Sequence, residues 1–362
     1  MSESPPPSSV QPPKSYRWDL DVLRIMAILG VVAVHVFGLI LGEKGLQGTA
    51  TWYFGVILDI GSIWCVPIFV MISGALLLGP RTHAAGPGPF LRRRVLRLLP
   101  ALVVWHLVYL FGVRWLLLGG RLEPAAVFVN FVDARVYTAL YFLWLILGLY
   151  CVAPVLAAFL AGGGATRARV TALAACAWTA TVIAVPGVTA LLGTPRPRSD
   201  GALTMWVSYV GLFVAGYAWR EASSRSHRWI WTGTLAILLL AAQIWQYTAR
   251  PDPRLLQALS PVSYLGALVM ICSICLFVCV VDLCARRSPS SQVQFALRAL
   301  GEATFGVFLV HLLVIAVIRV TFPDFYADPA PVAKTLMYVA VVVVSFLISL
   351  VARRTPVLRR IF

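Results

Sequence analysis

Residues 20–41 read LDVLRIMAILGVVAVHVFGLIL, an almost unbroken apolar run that carries one aspartate, one arginine and one histidine. A helix of about 20 apolar residues matches the ~30 Å hydrocarbon core of a bilayer. The run lacks a cleavage site of the A-x-A type, so we interpret it as a retained first membrane helix and not as a signal peptide. This segment decides the fold class, because the rest of the chain repeats its pattern.

The remaining sequence contains further apolar windows of the same length. Of all residues 60% are hydrophobic and only 12% are charged, where soluble domains carry about 25% charged residues. The mean hydropathy of +0.86 excludes an ordinary soluble enzyme, a disordered protein and a secreted disulfide scaffold. We therefore predict an all-α, polytopic integral membrane protein of about ten transmembrane helices, near residues 20–41, 53–78, 97–118, 138–160, 169–191, 203–219, 229–248, 261–284, 302–320 and 334–352.

These helices leave no room for a separate soluble domain. We divide the chain into a disordered, Pro- and Ser-rich tail at 1–16, a transmembrane domain at 17–354 and a basic cytoplasmic tail at 355–362. Any chemistry is therefore expected inside the helix bundle or at its two faces.

The positive charge of the chain follows the predicted topology. The net charge is +16, but the 30 Lys and Arg residues lie between apolar runs and form no basic domain, so we do not expect a nucleic-acid partner. If the first residue is cytoplasmic, 20 of them fall on the inner side and 10 on the outer side. By the positive-inside rule, this bias predicts that both termini are cytoplasmic.

The first helix carries three polar residues on one face. At 100° per residue, Arg24 and His35 differ by about 20° around the axis, and Asp21 lies within about 40° of His35. At 1.5 Å per residue, Arg24 and His35 are ~16 Å apart along the axis, so an anion-binding group near one interface is aligned with a deep titratable group. The alternative is a snorkelling arginine and a histidine that bonds a neighbouring carbonyl. We favour function, since charged groups within spans are costly.

The second helix adds Asp59, Ser73 and Gly74. Asp59 is predicted at the depth of His35, where a carboxylate would orient the imidazole ring; alternatively, Asp59 faces the outer water. Ser73 is predicted level with Arg24, and Gly74 would permit close approach of a backbone.

A dense basic cluster, FLRRRVLRLLP at 90–100, precedes the third helix. Arg94 and Arg97 are three residues apart and share a helical face, and guanidinium groups bind phosphate through paired hydrogen bonds. The cluster predicts a site for a phosphorylated cytoplasmic ligand, although topology and anionic lipid headgroups would also select it.

One further histidine, His311, lies in the middle of the ninth predicted helix, where a catalytic and a core role remain equally open. The spacing of Cys272, Cys275, Cys279 and Cys284 includes CxxC, but no histidine accompanies it. We therefore interpret these cysteines as core residues and expect no metal.

Four segments together resemble the membrane-bound acyltransferase 3 family. Asp21, Arg24 and His35 match its D-x-x-R motif followed by ten residues and a histidine. Three later blocks agree in order: Phe69, Ser73 and Gly74 in VPIFVMISGALLL, then Arg94, Arg97 and Pro100, then His311 in GEATFGVFLVH. Within that family, YFLWLILGLYCVAPVL at 141–156 is most similar to the subgroup of the enterobacterial-common-antigen O-acetyltransferase. The chain departs from the family at Phe305 and Phe308, where tyrosines are common.

The resemblance implies a multi-pass enzyme of the inner cell membrane that transfers an acyl group, often acetyl, from cytoplasmic acyl-coenzyme A to a hydroxyl of a sugar, a cell-envelope glycan or another acceptor. It implies that Arg24, Arg94 and Arg97 bind the phosphates of coenzyme A and that Ser73 and Gly74 flank its pantetheine arm. His35, with Asp59, would act as general base or as an acylated nucleophile. The alternatives are a transporter of an anionic or acylated small molecule and a non-catalytic membrane scaffold.

Overall fold

The computed structural model describes residues 16–221, 227–249, 254–356 and 358–362. The predicted disordered tail lies outside these residues except for Tyr16. The described residues form helices connected by loops and contain no strand, which confirms the all-α prediction. The α-helices are α1 (Trp18–Gly42), α2 (Ala50–Ile60), α3 (Cys65–Leu77), α4 (Pro87–Leu107), α5 (Pro124–Val132), α6 (Tyr141–Ala161), α7 (Gly164–Leu191), α8 (Val210–Ala218), α9 (Arg228–Thr248), α10 (Arg254–Leu259), α11 (Ala267–Cys284), α12 (Ser291–Thr321), α13 (Pro323–Ala327) and α14 (Pro331–Ala352).

Nine helical segments of the described chain are long and apolar enough to cross a membrane. Two of them are composite: α2 and α3 run on as Ala50–Leu77, and α4 continues through the π-helical turns Val108–Leu117. The tenth predicted span is a shorter apolar helix, Met205–Ala218. Its first five residues form a 3₁₀ helix, which rises ~2.0 Å per residue, so the segment spans about 23 Å.

Both ends of the described chain lie at one end of the bundle, which we call the arginine end. Arg17, before α1, donates a hydrogen bond to the carbonyl of Arg220, after α8. Arg24 of α1 and Arg353, directly after α14, line one cavity. A chain that starts and finishes at the same end crosses an even number of times, so the short α8 segment counts as the tenth crossing.

The α12 helix begins at Ser291, eleven residues before its predicted start, and the α4 helix also departs from its predicted bounds. The α4 helix begins at Pro87, ten residues earlier than expected, and proline is favoured in the first turn because its missing N–H has no helical partner there. Pro100, expected at the entry of the helix, lies inside it. The basic residues 92–97 therefore stand on a regular helix, and their relative positions are fixed.

The core lies among α1, α3, α8, α11 and α12. Leu23, Ile28 and Val32 of α1 are fully buried, whereas α9 exposes 74% of Trp231 on the outer surface. The α3 and α8 helices pack with their backbones in direct contact, since a Cβ at Gly74 would lie 1.7 Å from the carbonyl oxygen of Phe213. This central group positions α1 beside α12, and that pair carries the candidate site.

Candidate active site

A cavity of about 790 Å³ opens at the arginine end and runs into the bundle between α1, α3, α4, α6 and α12. Five arginines from three parts of the chain surround its entrance, and aromatic and aliphatic side chains form its walls. The lining residues used below are Arg24, Phe69, Ser73, Arg94, Arg97, Phe142, Tyr150, Gly301, Glu302, Phe308, Arg353, Arg359 and Phe362. The predicted grouping of Arg24, Arg94 and Arg97 is thus present at one cavity.

Only some of these arginines have acidic partners. Arg24 pairs with Asp21, with 2.5 Å between Nη1 and Oδ1, and Arg353 pairs with Glu302. Among the described residues, Arg94, Arg97 and Arg359 have no carboxylate within ion-pair distance. The entrance therefore carries a net positive charge that favours an anionic ligand.

Asp21 fixes the side chain of Arg24. Its carboxylate accepts one hydrogen bond from Arg24 and a second, of 2.5 Å, from the hydroxyl of Tyr16. Burial first, and the bond to Asp21 second, raise the pKa of Tyr16 well above its usual value, so this hydroxyl remains a donor at neutral pH. Asp21 also lies against Gly301 of α12, where a Cβ would come within 2.6 Å of the carboxylate. Only glycine at 301 permits this approach of the two helices.

Three phenylalanines close the deep end of the cavity. The rings of Phe69 and Phe142 are 6.0 Å apart between centroids, and those of Phe142 and Phe308 are 5.3 Å apart. Phe308 in turn lies 6.0 Å from the ring of His311. The cavity therefore ends directly below this histidine, with Phe308 between them.

His311 pairs with His35, and the rings of the two residues lie 5.2 Å apart between centroids. His311 is fully buried, and its Nδ1 lies 2.7 Å from the carbonyl oxygen of Phe308 and 3.2 Å from that of Val307. Because a carbonyl only accepts hydrogen bonds, Nδ1 carries the proton and donates. Nε2 of His311 then carries an unprotonated lone pair, and this atom is buried without a hydrogen-bond partner in the described part of the chain. Such a nitrogen can accept a hydrogen bond from the hydroxyl of a bound molecule.

The hydroxyl of Tyr109 contacts two backbone groups of α12 around this histidine. It donates to the carbonyl of Leu309 at 2.7 Å and accepts from the N–H of Leu313 at 3.1 Å. In a regular helix, these two backbone groups bond each other, because they are four residues apart. Tyr109 therefore bridges the turn that holds His311 from a neighbouring helix.

The second predicted span contributes only in part. Ser73 lines the cavity and donates to the carbonyl of Phe69, but Gly74 faces α8 and does not line it. Asp59 lies beside Gly38, with its Oδ1 3.5 Å from where a Cβ would stand. The hydrogen bonds of the described residues include none between Asp59 and His35. The residue that the structure places against the ring of His35 is His311.

Sequence reasoning missed four residues of this site. Arg353, Arg359 and Phe362 were assigned to topology or to a tail, although a basic run close to a predicted helix end is also a signal for anion binding. Tyr109 had no signal, since its role depends on the contact between α12 and the π-helical turns. By contrast, His106 is a structural histidine: its two ring nitrogens lie 2.7 Å from the carbonyl oxygen of Leu102 and 3.1 Å from the indole nitrogen of Trp144.

One model of a known protein family matches nearly the whole chain. The family model Acyl_transf_3, described as an acyltransferase domain, matches residues 17–354. No curated protein and no solved structure matches the chain. The match includes the histidine pair, Tyr109 and all of the cavity arginines except Arg359.

Proposed function

This chain belongs to the Acyl_transf_3 family of acyltransferases, and we propose that it moves an acyl group from acyl-coenzyme A to a hydroxyl of an acceptor presented at the membrane. The observation that carries the proposal is the cavity itself. It leads from guanidinium groups without carboxylate partners among the described residues, at the entrance, to Phe308, whose ring lies 6.0 Å from that of His311. Phosphates at one end and a thioester at the other are the two functional ends of acyl-coenzyme A.

The entrance is suited to the phosphates of the donor. Arg94 and Arg97 stand one turn apart on α4 without carboxylate partners among the described residues, and Arg24 is oriented by Asp21. Guanidinium groups bind phosphate oxygens in pairs and stay charged at any physiological pH. Beyond them, aromatic and aliphatic side chains line the cavity, which suits the uncharged pantetheine arm, with Ser73 on its wall.

The histidine pair supplies the chemistry. We assign the general base to His311, whose Nε2 takes the proton of the acceptor hydroxyl while the oxygen attacks the thioester carbon. The tetrahedral intermediate then expels the sulfur, and the imidazolium returns the proton to it. The products are an ester and the free thiol of coenzyme A, so atoms and charge balance.

His35 has no hydrogen-bond partner among the described residues and faces the same site. It either orients the hydroxyl or takes the acyl group itself before the acceptor attacks; the second route gives an acyl-imidazole intermediate. Exchange of labelled coenzyme A into acetyl-coenzyme A without any acceptor distinguishes the two routes, because only an acyl-enzyme permits it.

The bias of Lys and Arg supports a cytoplasmic arginine end, on the side of the membrane where acyl-coenzyme A is available. The resemblance to the enterobacterial-common-antigen subgroup supports an acetyl group and a sugar hydroxyl as acceptor. A lipid-linked sugar, an envelope polysaccharide and a glycosylated product share that chemistry.

The decisive test uses the purified full chain in lipid nanodiscs with acetyl-coenzyme A labelled in the acetyl group and a panel of lipid-linked and free saccharides. We expect label transfer in the wild type and a loss of at least 100-fold in His311→Ala and in His35→Ala. His106→Ala, a matched buried histidine outside the site, should retain transfer in the fraction that remains folded. Label transport without thioester cleavage would instead support a transporter.

A further inference from the structure

A second groove adjoins the cavity at the arginine end. Its volume is about 660 Å³, and it lies between α4 and the segment that follows α14. Arg97, Arg353 and Arg359 line both spaces, so the groove and the cavity adjoin along these three side chains. Arg354 lines the groove alone, whereas Arg24 and Arg94 line the cavity alone.

The groove has a strong positive charge with little to neutralise it. Among the described residues, Arg97, Arg354 and Arg359 have no carboxylate at ion-pair distance, and only Arg353 is paired, with Glu302. Leu96 and Pro100 of α4 supply apolar wall between these guanidinium groups. Cations beside an apolar wall are suited to an anion attached to a flat or hydrophobic group.

The segment after α14 is held in place by contacts to α4. The indole nitrogen of Trp105 donates to the carbonyl of Ile361 at 3.0 Å, and the rings of Trp105 and Phe362 are 5.4 Å apart. These contacts fix the backbone that carries Arg359 over the groove. The arginines after α14 are therefore part of a built surface, and membrane topology alone does not require that arrangement.

We propose that this groove binds the ribose 3′-phosphate of coenzyme A, while the cavity entrance binds the diphosphate; this inference rests on the proposed function. Coenzyme A carries phosphate at two separate places, and the arginines form two adjoining sets. A phosphomonoester carries −1.5 to −2 charge near pH 7, so it needs more than one guanidinium group. Leu96 and Pro100 would then contact the adenosine.

The test compares coenzyme A with dephospho-coenzyme A, which lacks only the 3′-phosphate. Binding is measured on the full chain in nanodiscs of phosphatidylcholine by calorimetry. We expect the wild type to bind coenzyme A about tenfold more tightly, as for the loss of one charge-assisted contact. The variant Arg354→Gln/Arg359→Gln should bind both ligands with nearly equal affinity.

Two single variants serve as matched controls on the same face. Arg94→Gln should weaken the binding of both ligands by a similar factor and leave their ratio near tenfold. Arg92→Gln, which lines neither space, should leave both affinities within about twofold of wild type. Nanodiscs that contain phosphatidylglycerol form a third arm, because a lipid phosphate has the same chemistry as the ligand.

The outcomes separate this inference from the proposed function. If neither ligand binds the wild type, the proposed function fails. If both bind but the ratio in the double variant remains near tenfold, the groove does not hold the 3′-phosphate. If the double variant changes affinity only in phosphatidylglycerol, the groove is a lipid-headgroup site and the inference is wrong.

Discussion

Replacing Tyr109 with phenylalanine removes a single oxygen atom from the turn that carries His311. That oxygen donates to Leu309 and accepts from Leu313, so two backbone groups of α12 lose their partner. A typical hydrogen bond contributes about 1 kcal/mol to stability, and the two backbone groups can recover part of this by bonding each other. We therefore expect Tyr109→Phe to lower the free energy of unfolding by only about 1–2 kcal/mol.

The effect on catalysis should be larger than the effect on stability. Losing the two contacts of the Tyr109 hydroxyl frees the turn on which His311 stands, and a misplacement of about 1 Å can reduce a rate about 100-fold. We expect kcat for acetyl transfer to fall about 10- to 100-fold, with the KM for acetyl-coenzyme A within about threefold of wild type, because the arginines are untouched. Steady-state kinetics and thermal unfolding in nanodiscs measure both.

Tyr137→Phe is the matched control. Its ring stacks on that of Tyr109 at 4.5 Å between centroids, but its hydroxyl takes no part in the α12 ladder. This control should retain kcat within about twofold. A Tyr109→Phe protein with wild-type kcat, or one in which kcat and KM change by the same factor, would refute the positioning role of Tyr109.

Two further predictions concern the ends of the cavity. Arg24→Gln should weaken coenzyme A binding about tenfold and reduce thermal stability, because buried Asp21 loses its cation. Adding Asp21→Asn should restore the melting temperature but not the affinity for coenzyme A. Recovery of both would contradict a binding role for Arg24. Phe308→Ala should open the deep end of the cavity beneath His311. The ratio of kcat/KM for butyryl-coenzyme A to that for acetyl-coenzyme A should then rise about tenfold or more, since each accommodated methylene contributes about 1 kcal/mol. An unchanged ratio would show that Phe308 does not limit the length of the acyl chain.

The fold was predictable because membrane spans leave a local signal. An apolar window needs no knowledge of its neighbours, and the predicted and observed bounds of seven of the nine long spans agree within six residues. Two deviations have physical causes. The α4 helix extends beyond its apolar part, since the helix begins at Pro87 and continues through the basic residues 92–94 before the apolar run starts. The Met205–Ala218 segment is short because part of it is the steeper 3₁₀ form, which hydropathy does not reveal.

The arrangement of site residues within one helix was predictable from the sequence, whereas the contacts between residues of different helices were not. The common face of Asp21, Arg24 and His35 follows from 100° per residue alone, and the cavity includes Arg24 as expected. The neighbour of His35 depends on which helices pack together. The predicted depth of Asp59 in the membrane made it a candidate for contact with His35. Depth does not determine which side of a helix a residue occupies, and α12 brings His311 to the ring of His35 instead.

The contacts between α1 and α12 couple the two ends of the proposed reaction. Near the entrance, Asp21 lies against Gly301; deeper in the bundle, His35 lies against His311. Both contacts advance in the same chain direction, so the helices run parallel and hold the phosphate-binding end at a fixed depth from the base. A donor anchored by its phosphates at Arg24 then presents its thioester at a depth set by the length of its pantetheine arm. Selection for coenzyme A thioesters over shorter thioesters would follow from this spacing, without any contact that recognises the thioester itself.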